Sequence, residues 1–297
     1  MNLSERISVS PESVSIGDRM WRDERLDLTE KIAVVTGGAR GIGGATCLEL
    51  AYEGIKVVGV VDTTPELPRI TDQVNERLGR RVLVPFRGDV TNAEFRRGVF
   101  AALREQFGTV SICVPAAGIT RDRLAVKINH DTRRAEVYPE DDFRRVLEVD
   151  LTAPIYWAMQ TIACVAEDRN RRGLKRWEPS EPIEGCVIFI GSVSSAGNKG
   201  QVSYAAAKAG LEGAQATLAA EATYHGVRSA IIHPGYTDTG MVSALGHEFI
   251  QENILPQTQL RRLISPKEIA HAIVFMIRNS AVSGQLWVDA GWHPVLS

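Results

Sequence analysis

The stretch KIAVVTGGARGIGGATCLELAYEG, residues 31–54, decides the fold class of this 297-residue chain. It begins with a short apolar run, residues 32–35, of the kind that forms a buried strand. The glycine-rich segment TGGARGIG follows, and then a helix-forming stretch that stops at Gly54, a residue suited to a helix C-terminus. Glycines between a strand and a helix let the backbone approach a phosphate, which the helix N-terminus attracts. The stretch therefore predicts a phosphate-binding strand–turn–helix unit.

The glycine spacing and the next strand end together predict the cofactor. Gly37, Gly41 and Gly43 give G-x-x-x-G-x-G rather than the more familiar G-x-G-x-x-G, and a glycine cluster alone is a weak signal. Its position between a strand and a helix favours a dinucleotide. A second strand, predicted at 56–61, ends at Asp62, which is either a turn residue or a carboxylate that accepts hydrogen bonds from an adenosine ribose and repels a 2′-phosphate. NAD(H) is therefore the favoured cofactor, with NADP(H) as the alternative.

Strands and helices alternate along the rest of the chain. Further buried strands are predicted at 81–86 and 110–114 and in a run that begins at Cys186. This rhythm predicts an α/β fold, a single doubly wound, Rossmann-type parallel sheet with helices on both faces. Residues 1–30 are polar and lack periodicity, so they are predicted to be an arm that is disordered or lies on a neighbouring subunit. The nucleotide-binding domain is predicted to span residues 31–297.

A second stretch, CVIFIGSVSSAGNKGQVSYAAAKAG at residues 186–210, supplies candidate catalytic residues. Ser192 follows the strand, at the edge where open α/β sheets bind their ligands. Tyr204 and Lys208 are four residues apart in an alanine-rich helical segment, so they share one helix face. An ammonium near a phenol favours the phenolate, so we expect a tyrosine pKa below the ordinary value of about 10. Such a tyrosine can exchange a proton with an alcohol oxygen that Ser192 holds.

The Y-x-x-x-K spacing alone is not specific, because the chain contains it twice. Tyr52 and Lys56 form the second copy, which Gly54 interrupts and which runs into an apolar strand. On spacing alone, either copy is more often structural than catalytic. Only Tyr204 has a strand-end serine before it and an unbroken helix behind it. The copy formed by Tyr52 and Lys56 is therefore predicted to be structural.

The composition excludes several classes of function. The chain has 34 basic and 36 acidic residues, for a net charge of −2, so neither nucleic acid nor an anionic membrane is an expected partner. No apolar run approaches the roughly 18 residues of a membrane span, and no signal-peptide core is present, so a cytoplasmic protein is expected. The histidines show no metal-ligand spacing; no metal is expected, and His233 is predicted to be structural. Four scattered cysteines are predicted to be buried thiols: Cys47, Cys113, Cys164 and Cys186.

These motifs, in this order, resemble the short-chain dehydrogenase/reductase family from about residue 31 to 294. TGGARGIG resembles the nucleotide loop of the family, and GDV at 88–90 resembles its adenine contact. PAAG at 115–118 stands where the family has N-N-A-G, and HPGYTDTGM at 233–241 is similar to the nicotinamide loop. GQLWVDAGW near the C-terminus is similar to the last strand and the oligomer-forming tail. The resemblance thus implies a homo-oligomer, either a dimer or a tetramer.

The resemblance also implies an activity and a set of site residues. The activity is the NAD(P)-dependent interconversion of a ketone and a secondary alcohol. Tyr204 is the implied acid/base, Lys208 lowers its pKa and holds the nicotinamide ribose, and Ser192 polarises the carbonyl. The implied cofactor-binding residues are Gly37, Arg40, Gly41, Ile42, Gly43, Asp62, Asp89, Val90, Ala117, Gly118, Tyr204, Lys208, Pro234, Gly235, Thr237 and Thr239.

The substrate is less closely specified. AGITRD at 117–122 and LRRLISPKEIA at 260–270 resemble the branch that reduces 3-oxoacyl carrier-protein thioesters, which makes a 3-oxoacyl thioester the first expectation. Polyol, steroid and other alcohol dehydrogenases share much of this pattern. A sugar-nucleotide epimerase or dehydratase also uses tyrosine and lysine, but usually has another glycine spacing and a larger C-terminal region. A non-catalytic nucleotide-sensing protein on the same scaffold is the remaining alternative.

The chain departs from the family pattern at several site positions. Asp150 stands where the family has its fourth catalytic residue, an asparagine, and is expected to order a water behind Lys208. The interval from Ser192 to Tyr204 is one residue shorter than usual, so Ser194 is an alternative for the serine role. Two further departures concern the cofactor: Val61 occupies the usual acidic site, one residue before Asp62, and Arg40 is a residue that often accompanies NADP.

Two insertions complete the sequence pattern. Residues 127–140, KINHDTRRAEVYPE, lengthen the connection that precedes the central helix, close to the expected entrance for substrate. Residues 169–182, RNRRGLKRWEPSEP, extend the link into the strand before Ser192. Their basic residues favour either a solvated loop or, less often, contact with an acidic carrier protein. Neither insertion has a sequence pattern from which the substrate can be named.

Overall fold

The predicted apolar runs form parallel strands of one sheet in the computed structural model, which describes residues 26–291. A short antiparallel hairpin, formed by the fifth and sixth strands, lies outside that sheet. In chain order the strands are β1 (Ile32–Thr36), β2 (Val57–Asp62), β3 (Leu83–Arg87), β4 (Val110–Pro115), β5 (Val126–Asn129), β6 (Arg134–Val137), β7 (Gly185–Ile190), β8 (Val227–Pro234) and β9 (Gly284–Val288).

Helices follow most of the strands, as predicted. They are α1 (Gly41–Tyr52), α2 (Leu67–Leu78), α3 (Ala93–Gln106), α4 (Glu140–Leu147), α5 (Ala153–Arg171), α6 (Val202–Ala222), α7 (Gly240–Ser243), α8 (His247–Phe249) and α9 (Pro266–Arg278). A π-helical turn, Glu148–Thr152, joins α4 to α5, so that the two form one continuous helical segment. The helix predicted after the glycine motif begins at Gly41, because the last glycines of the motif already belong to its first turn.

The strand order within residues 26–291 is β3-β2-β1-β4-β7-β8-β9, with every neighbouring pair parallel. The chain builds outward from β1 in one direction and then returns to build outward from β4 in the other. The carboxyl ends of β1 and β4 therefore flank the point where the order reverses, which is where such sheets open a crevice for ligands. This arrangement confirms the predicted fold class.

Two apolar layers cover the sheet because its strand residues point alternately to opposite faces. Ala33 and Val35 of β1 pack into the layer that α1 and α9 cover, whereas Ile32 and Val34 pack towards α3, α5 and α6. Residues buried on both faces explain why the strands are apolar throughout. The four cysteines are buried and unpaired, so the predicted burial of these thiols is confirmed. No helix between residues 26 and 291 is both long and apolar enough to cross a membrane.

The predicted arm falls largely on residues 1–25, which lie outside the described part of the chain, as do residues 292–297. Its last residues pack on the body of the protein. Leu28 is buried in the core, and the Leu26 N–H donates to the Arg278 carbonyl oxygen at 2.8 Å. The apolar packing of the domain thus extends a few residues before the predicted boundary at residue 31.

The 169–182 insertion is anchored to the body at Arg169 and Trp177. Arg169 has a side chain only 1% exposed, and its guanidinium pairs with Glu181 at 2.6 Å and with Glu184 at 2.9 Å. The Trp177 backbone N–H donates to the Tyr224 carbonyl oxygen at 2.8 Å. Arg169 is buried because carboxylate partners satisfy its charge. The other basic residues of the insertion are exposed, in agreement with the expected solvated loop: Arg171, Arg172, Lys175 and Arg176.

Candidate functional site

A cleft of about 280 Å³ opens at the carboxyl end of the sheet. Its wall combines the ends of β7 and β8 with the first turn of α6 and with α7. Predicted catalytic and cofactor-binding side chains meet there although they are far apart in the sequence. The predicted residues that line this cleft are Ile42, Ser192, Tyr204, Pro234, Gly235, Thr237 and Thr239.

Ser192 and Tyr204 face the same cleft. Ser192 lies just beyond β7 in an extended conformation, and its Oγ accepts a hydrogen bond from the Ser194 backbone N–H at 3.0 Å. Hydrogen bonding with the Ser192 side chain acts to lower the pKa of Tyr204. Ser194 also lines the cleft, and its Oγ lies 3.4 Å from Asn198 Nδ2. The geometry thus places Ser192 beside the phenol, while Ser194 contacts the neighbouring loop.

Lys208 is buried behind Tyr204. Its side chain is 5% exposed, and its ammonium donates to the Ile190 carbonyl oxygen at 3.1 Å. The same nitrogen lies 5.4 Å from the centroid of the Tyr204 ring. A lysine ammonium this far from water needs fixed acceptors or a counter-charge, because burial disfavours the charged form.

Asp150 supplies that counter-charge. Its carboxylate is completely buried in the π-helical turn, with Oδ2 3.6 Å from Lys208 Nζ. The other oxygen, Oδ1, accepts the Ile119 backbone N–H at 2.9 Å. Burial raises the pKa of Asp150, while Lys208 and the Ile119 hydrogen bond act in the opposite direction. The carboxylate and the Lys208 ammonium thus form an ion pair, and the expected ordering of a water by Asp150 stays a prediction.

The expected lowering of the Tyr204 pKa is wrong in this structure. Burial of the phenol raises the pKa of Tyr204 above its ordinary value, and Lys208 lowers it without cancelling that rise. The nearby Asp150 carboxylate adds to the rise, because a negative charge opposes formation of the phenolate. The phenol is therefore protonated at neutral pH, which suits donation of a proton rather than its removal.

The glycine loop fits a dinucleotide pyrophosphate. A Cβ on Gly43 would lie 2.2 Å from the Gly37 carbonyl oxygen, so only glycine allows this tight turn. Gly41 has a φ of +57°, and a Cβ there would approach the Thr239 side chain at 3.3 Å. Arg40 precedes α1 without capping it by a side-chain hydrogen bond, which leaves N–H groups of the first turn available to an anion.

Asp62 lies where an adenosine ribose is expected. Its Oδ2 accepts the Ala39 backbone N–H at 3.1 Å, which ties the end of β2 to the glycine loop. Val61, at the usual acidic position, is fully buried and cannot present a side chain to ligand. Arg40 is exposed and forms no ion pair with Asp62. The offset carboxylate therefore takes the position at the strand end, and the guanidinium remains free to move.

The remaining predicted cofactor residues line neighbouring strand ends. Asp89 follows β3 and pairs with Arg145 at 3.0 Å, which contributes to lowering the pKa of Asp89. Val90 is buried just beyond it. The Ala117 N–H donates to Thr36 Oγ1 at 3.1 Å, and a Cβ on Gly118 would lie 3.1 Å from Asp150 Oδ2. The structure thus places these residues just beyond the carboxyl ends of β3 and β4.

His233 and the Tyr52 copy of the motif lie outside the cleft. The His233 ring is fully buried, stacks on Trp287 with centroids 4.2 Å apart, and has a pKa lowered by burial. Tyr52 ends α1 with 71% of its surface exposed, and Lys56 pairs with Glu30 at 3.2 Å. No cluster of metal-ligating side chains occurs within the described residues.

The sequence analysis missed two walls of the cleft. One is polar, where Gln201 Nε2 donates to Asp122 Oδ2 at 2.9 Å and Gln201 Oε1 accepts from Asn198 at 3.1 Å. Asp122 belongs to the AGITRD motif, and Asn198 and Gln201 lie in the loop before Tyr204. Their closeness in sequence to these motifs is the signal that could have identified them. The other wall is apolar and comes from α7 and the residues after it: Met241, Val242, Ala244 and Leu245.

Comparison with known proteins agrees with this geometry. A family model described as enoyl-(acyl carrier protein) reductase matches residues 37–293. The 3-oxoacyl-[acyl-carrier-protein] reductase FabG of Escherichia coli (strain K12) is 31% identical over 269 residues, which covers 89% of this chain and 98% of that protein. The chain belongs to the short-chain dehydrogenase/reductase family. As a member of this family it is an NAD(P)-dependent oxidoreductase.

Two further proteins are similar to this chain, one in sequence and one in fold. The short-chain reductase protein NovJ of Streptomyces niveus is 33% identical over 258 residues, which covers 84% of this chain and 87% of that protein. A crystal structure of a short-chain type dehydrogenase/reductase from Mycobacterium marinum superimposes with a TM-score of 0.75 over 90% of this chain and 96% of that one. Its sequence identity is 23%, so it supports the fold alone.

Proposed function

We propose that this short-chain dehydrogenase/reductase reduces a ketone to a secondary alcohol, with Tyr204 as the proton donor. The observation that supports the proposal best is the shared cleft: Ser192 and Tyr204 line it together with Thr239. Lys208 lies buried behind the phenol. A carbonyl oxygen held between the two hydroxyl groups is within reach of both a hydrogen-bond donor and a proton.

In this proposal, different residues at the carboxyl ends of the strands bind different parts of the cofactor. The nicotinamide, when bound, supplies the hydride that the reaction needs. The glycine loop and the first turn of α1 hold the pyrophosphate, and Asp62 accepts hydrogen bonds from the adenosine ribose. Lys208 holds the nicotinamide ribose. The loop that includes Pro234, Gly235, Thr237 and Thr239 receives the carboxamide, whereas Asp89, Val90, Ala117 and Gly118 line the adenine and ribose side.

Proton transfer follows from the charges around Tyr204. The raised pKa of the phenol keeps its proton at neutral pH, so that Tyr204 is ready to protonate the developing alkoxide. Ser192 donates a hydrogen bond to the same oxygen and orients it. Lys208 stabilises the phenolate that remains, while Asp150 holds Lys208 in place and limits its pull. This balance favours the reductive direction, because a phenol that keeps its proton is a good acid and a poor base.

A 3-oxoacyl thioester is the substrate that we propose first. Several of the similar proteins, among them the one from Escherichia coli, bear the name 3-oxoacyl-[acyl-carrier-protein] reductase. The apolar α7 wall of the cleft suits an acyl chain, whereas the polar wall at Asp122, Asn198 and Gln201 lies on the other side. A polyol, steroid or other secondary alcohol is the second candidate. A non-catalytic nucleotide sensor is the third, favoured only by the unusual Asp150 and Pro115.

A substrate panel decides among these candidates. We expect that 3-oxoacyl thioesters are reduced and that the absorbance of the reduced nicotinamide falls as they are consumed. The panel should include a polyol and a steroid ketone, each with NADH and with NADPH. Turnover of only the polyol or steroid would replace the first candidate, and tight cofactor binding with no turnover of any carbonyl or alcohol would favour the sensor.

We also propose a homo-oligomer, a dimer or tetramer, in the cytoplasm. Phe275 of α9 and Trp287 of the edge strand β9 are 52% and 44% exposed, and large exposed apolar side chains suit burial against a second copy. Four buried thiols suit a reducing compartment. In this proposal the catalytic domain spans residues 31–297, with the preceding residues as an arm.

Replacement of the proton donor tests the mechanism. Tyr204→Phe removes the hydroxyl but keeps the ring, so folding and cofactor affinity should be retained. We expect kcat to fall by about 10²- to 10⁴-fold, the usual contribution of a general acid. Tyr52→Phe is the matched control, because Tyr52 is exposed and remote, and its kinetics should match the wild type. Equal losses in the two variants would contradict the assignment of Tyr204.

Replacement of Asp150 tests its electrostatic role. The Asp150 carboxylate raises the pKa of Tyr204, so Asp150→Asn should lower that pKa. Reduction requires the protonated phenol, and the alkaline limb of kcat/KM should therefore move to lower pH, with kcat near neutral pH kept or raised. The measurement is kcat/KM against pH for both forms. A kcat loss of roughly 10²-fold or more with an unmoved alkaline limb would indicate instead that the carboxylate takes part in proton transfer.

The cofactor preference follows from Asp62 and Arg40. We propose a preference for NAD(H), because the fixed Asp62 carboxylate repels a 2′-phosphate by about 4 kcal/mol per charge pair at 4 Å and an effective dielectric near 20. Arg40 is exposed and loses side-chain freedom if it binds the phosphate. Asp62→Ala should improve kcat/KM for NADPH more than it harms that for NADH. A wild-type protein that binds NADPH tenfold more tightly than NADH would show that Arg40 prevails.

A further inference from the structure

One side chain at the base of the β5–β6 hairpin is buried although the hairpin is not. Val126, Ile128 and Val137 are 58%, 52% and 75% exposed, whereas Tyr138, directly after β6, is 8% exposed. The Tyr138 backbone N–H donates to the Ala125 carbonyl oxygen at 2.9 Å and closes the hairpin. The insertion therefore places one aromatic side chain in the body of the protein.

The Tyr138 phenol connects two segments that border the cleft. Its hydroxyl donates to the Arg121 carbonyl oxygen at 2.6 Å and lies 2.9 Å from Ser203 Oγ. A phenol has a single proton, and because Arg121 receives it, the Ser203 hydroxyl is the donor in the second hydrogen bond. Ser203 is 1% exposed. The hydrogen bond between the Tyr138 and Ser203 hydroxyl groups is therefore shielded from bulk water.

Ser203 directly precedes Tyr204 in the first turn of α6. Gln201, the residue directly before this helix, makes no side-chain capping hydrogen bond to it. The turn is held instead from outside, by the bond from Gln201 to Asp122 and by the Arg123 N–H, which donates to the Gly200 carbonyl oxygen at 2.8 Å. The 119–123 loop thus supports the start of the helix, and the Tyr138 hydroxyl bonds to both.

We propose that Tyr138 is a positioning residue, whose hydroxyl fixes the first turn of α6 against the 119–123 loop and so sets the place of the Tyr204 hydroxyl beside Ser192. The proposal rests on the proposed role of Tyr204 as proton donor. A single neutral hydrogen bond adds little to stability. A misplacement of a catalytic group by about 1 Å, in contrast, can lower a rate on the order of 10²-fold. The effect of Tyr138 should therefore be larger on turnover than on folding.

The Tyr138→Phe variant isolates the hydroxyl, because the ring keeps its edge-on contact with Phe143, at 6.4 Å between centroids. We expect kcat to fall by about 10- to 10²-fold, with cofactor Kd and substrate KM within about twofold of the wild type. Tyr224→Phe is the matched control, since Tyr224 is half-exposed beyond the other end of α6, and its kcat should be unchanged. A folded Tyr138→Phe variant with wild-type kcat would overturn the proposal, as would parallel losses of kcat and cofactor affinity.

A second variant tests the same hydrogen bond from the α6 side. Ser203→Ala should lower kcat in the same sense but by a smaller factor, since the bond from Tyr138 to Arg121 remains. The double variant should lose no more than Tyr138→Phe alone, because both changes remove one interaction. Should Tyr138→Phe fail to fold, Ser203→Ala decides: a lower kcat at constant cofactor affinity supports positioning, and an unchanged kcat overturns it. Full activity of Tyr204→Phe would instead refute the proposed function itself.

Discussion

The buried ammonium of Lys208 is the constraint on which the rest of the site depends. A charge that is 95% removed from solvent is tolerated only with close partners, and the two nearest are the Asp150 carboxylate and the Ile190 carbonyl oxygen. These partners belong to the central helical segment and to β7. By satisfying Lys208 they fix α6 against both, and Tyr204, one turn before Lys208, is fixed with it. The position of Tyr204, the proposed proton donor, is thus a consequence of charge burial.

The same pair sets the electrostatics of the phenol. Lys208 favours the phenolate, whereas burial and Asp150 favour the neutral form, and the neutral form prevails. An asparagine at position 150 would leave the lysine field uncompensated. The carboxylate therefore favours the protonated phenol of Tyr204. The cleft, the glycine loop and the strand ends then determine which ligand groups lie next to the Tyr204 hydroxyl.

Much of the fold could be predicted from the sequence because local signals agreed with one another. The apolar runs at β1 and β7 are short, continuous and bounded by glycine, so they predict buried parallel strands. The glycine motif and Ser192 lie at strand ends, and parallel strands bring their carboxyl ends to one edge. The predicted sheet therefore also brings the predicted site residues together.

The features that could not be predicted depend on contacts between distant segments. The pKa of Tyr204 was expected to fall, because spacing reveals Lys208 but does not reveal how deeply the phenol is buried. The ion pair between Asp150 and Lys208 joins residues that are far apart in the sequence, and it depends on the π-helical turn that contains Asp150. The burial of Arg169 and Tyr138 was hidden for a similar reason: charged and polar insertions usually indicate solvated loops, and only the folded chain shows which side chain turns inward.

A carbon-13 NMR titration of the Tyr204 ring tests the central claim most directly. Tyrosine labelled at the ring carbon that bears the hydroxyl gives one resonance per residue, and the resonance of Tyr204 is the one absent from the Tyr204→Phe variant. Its titration midpoint in the free protein measures how burial, Lys208 and Asp150 balance. We predict a midpoint above the ordinary tyrosine value of about 10, because burial raises the pKa of Tyr204. A midpoint below that value would contradict this account and show that Lys208 dominates the site.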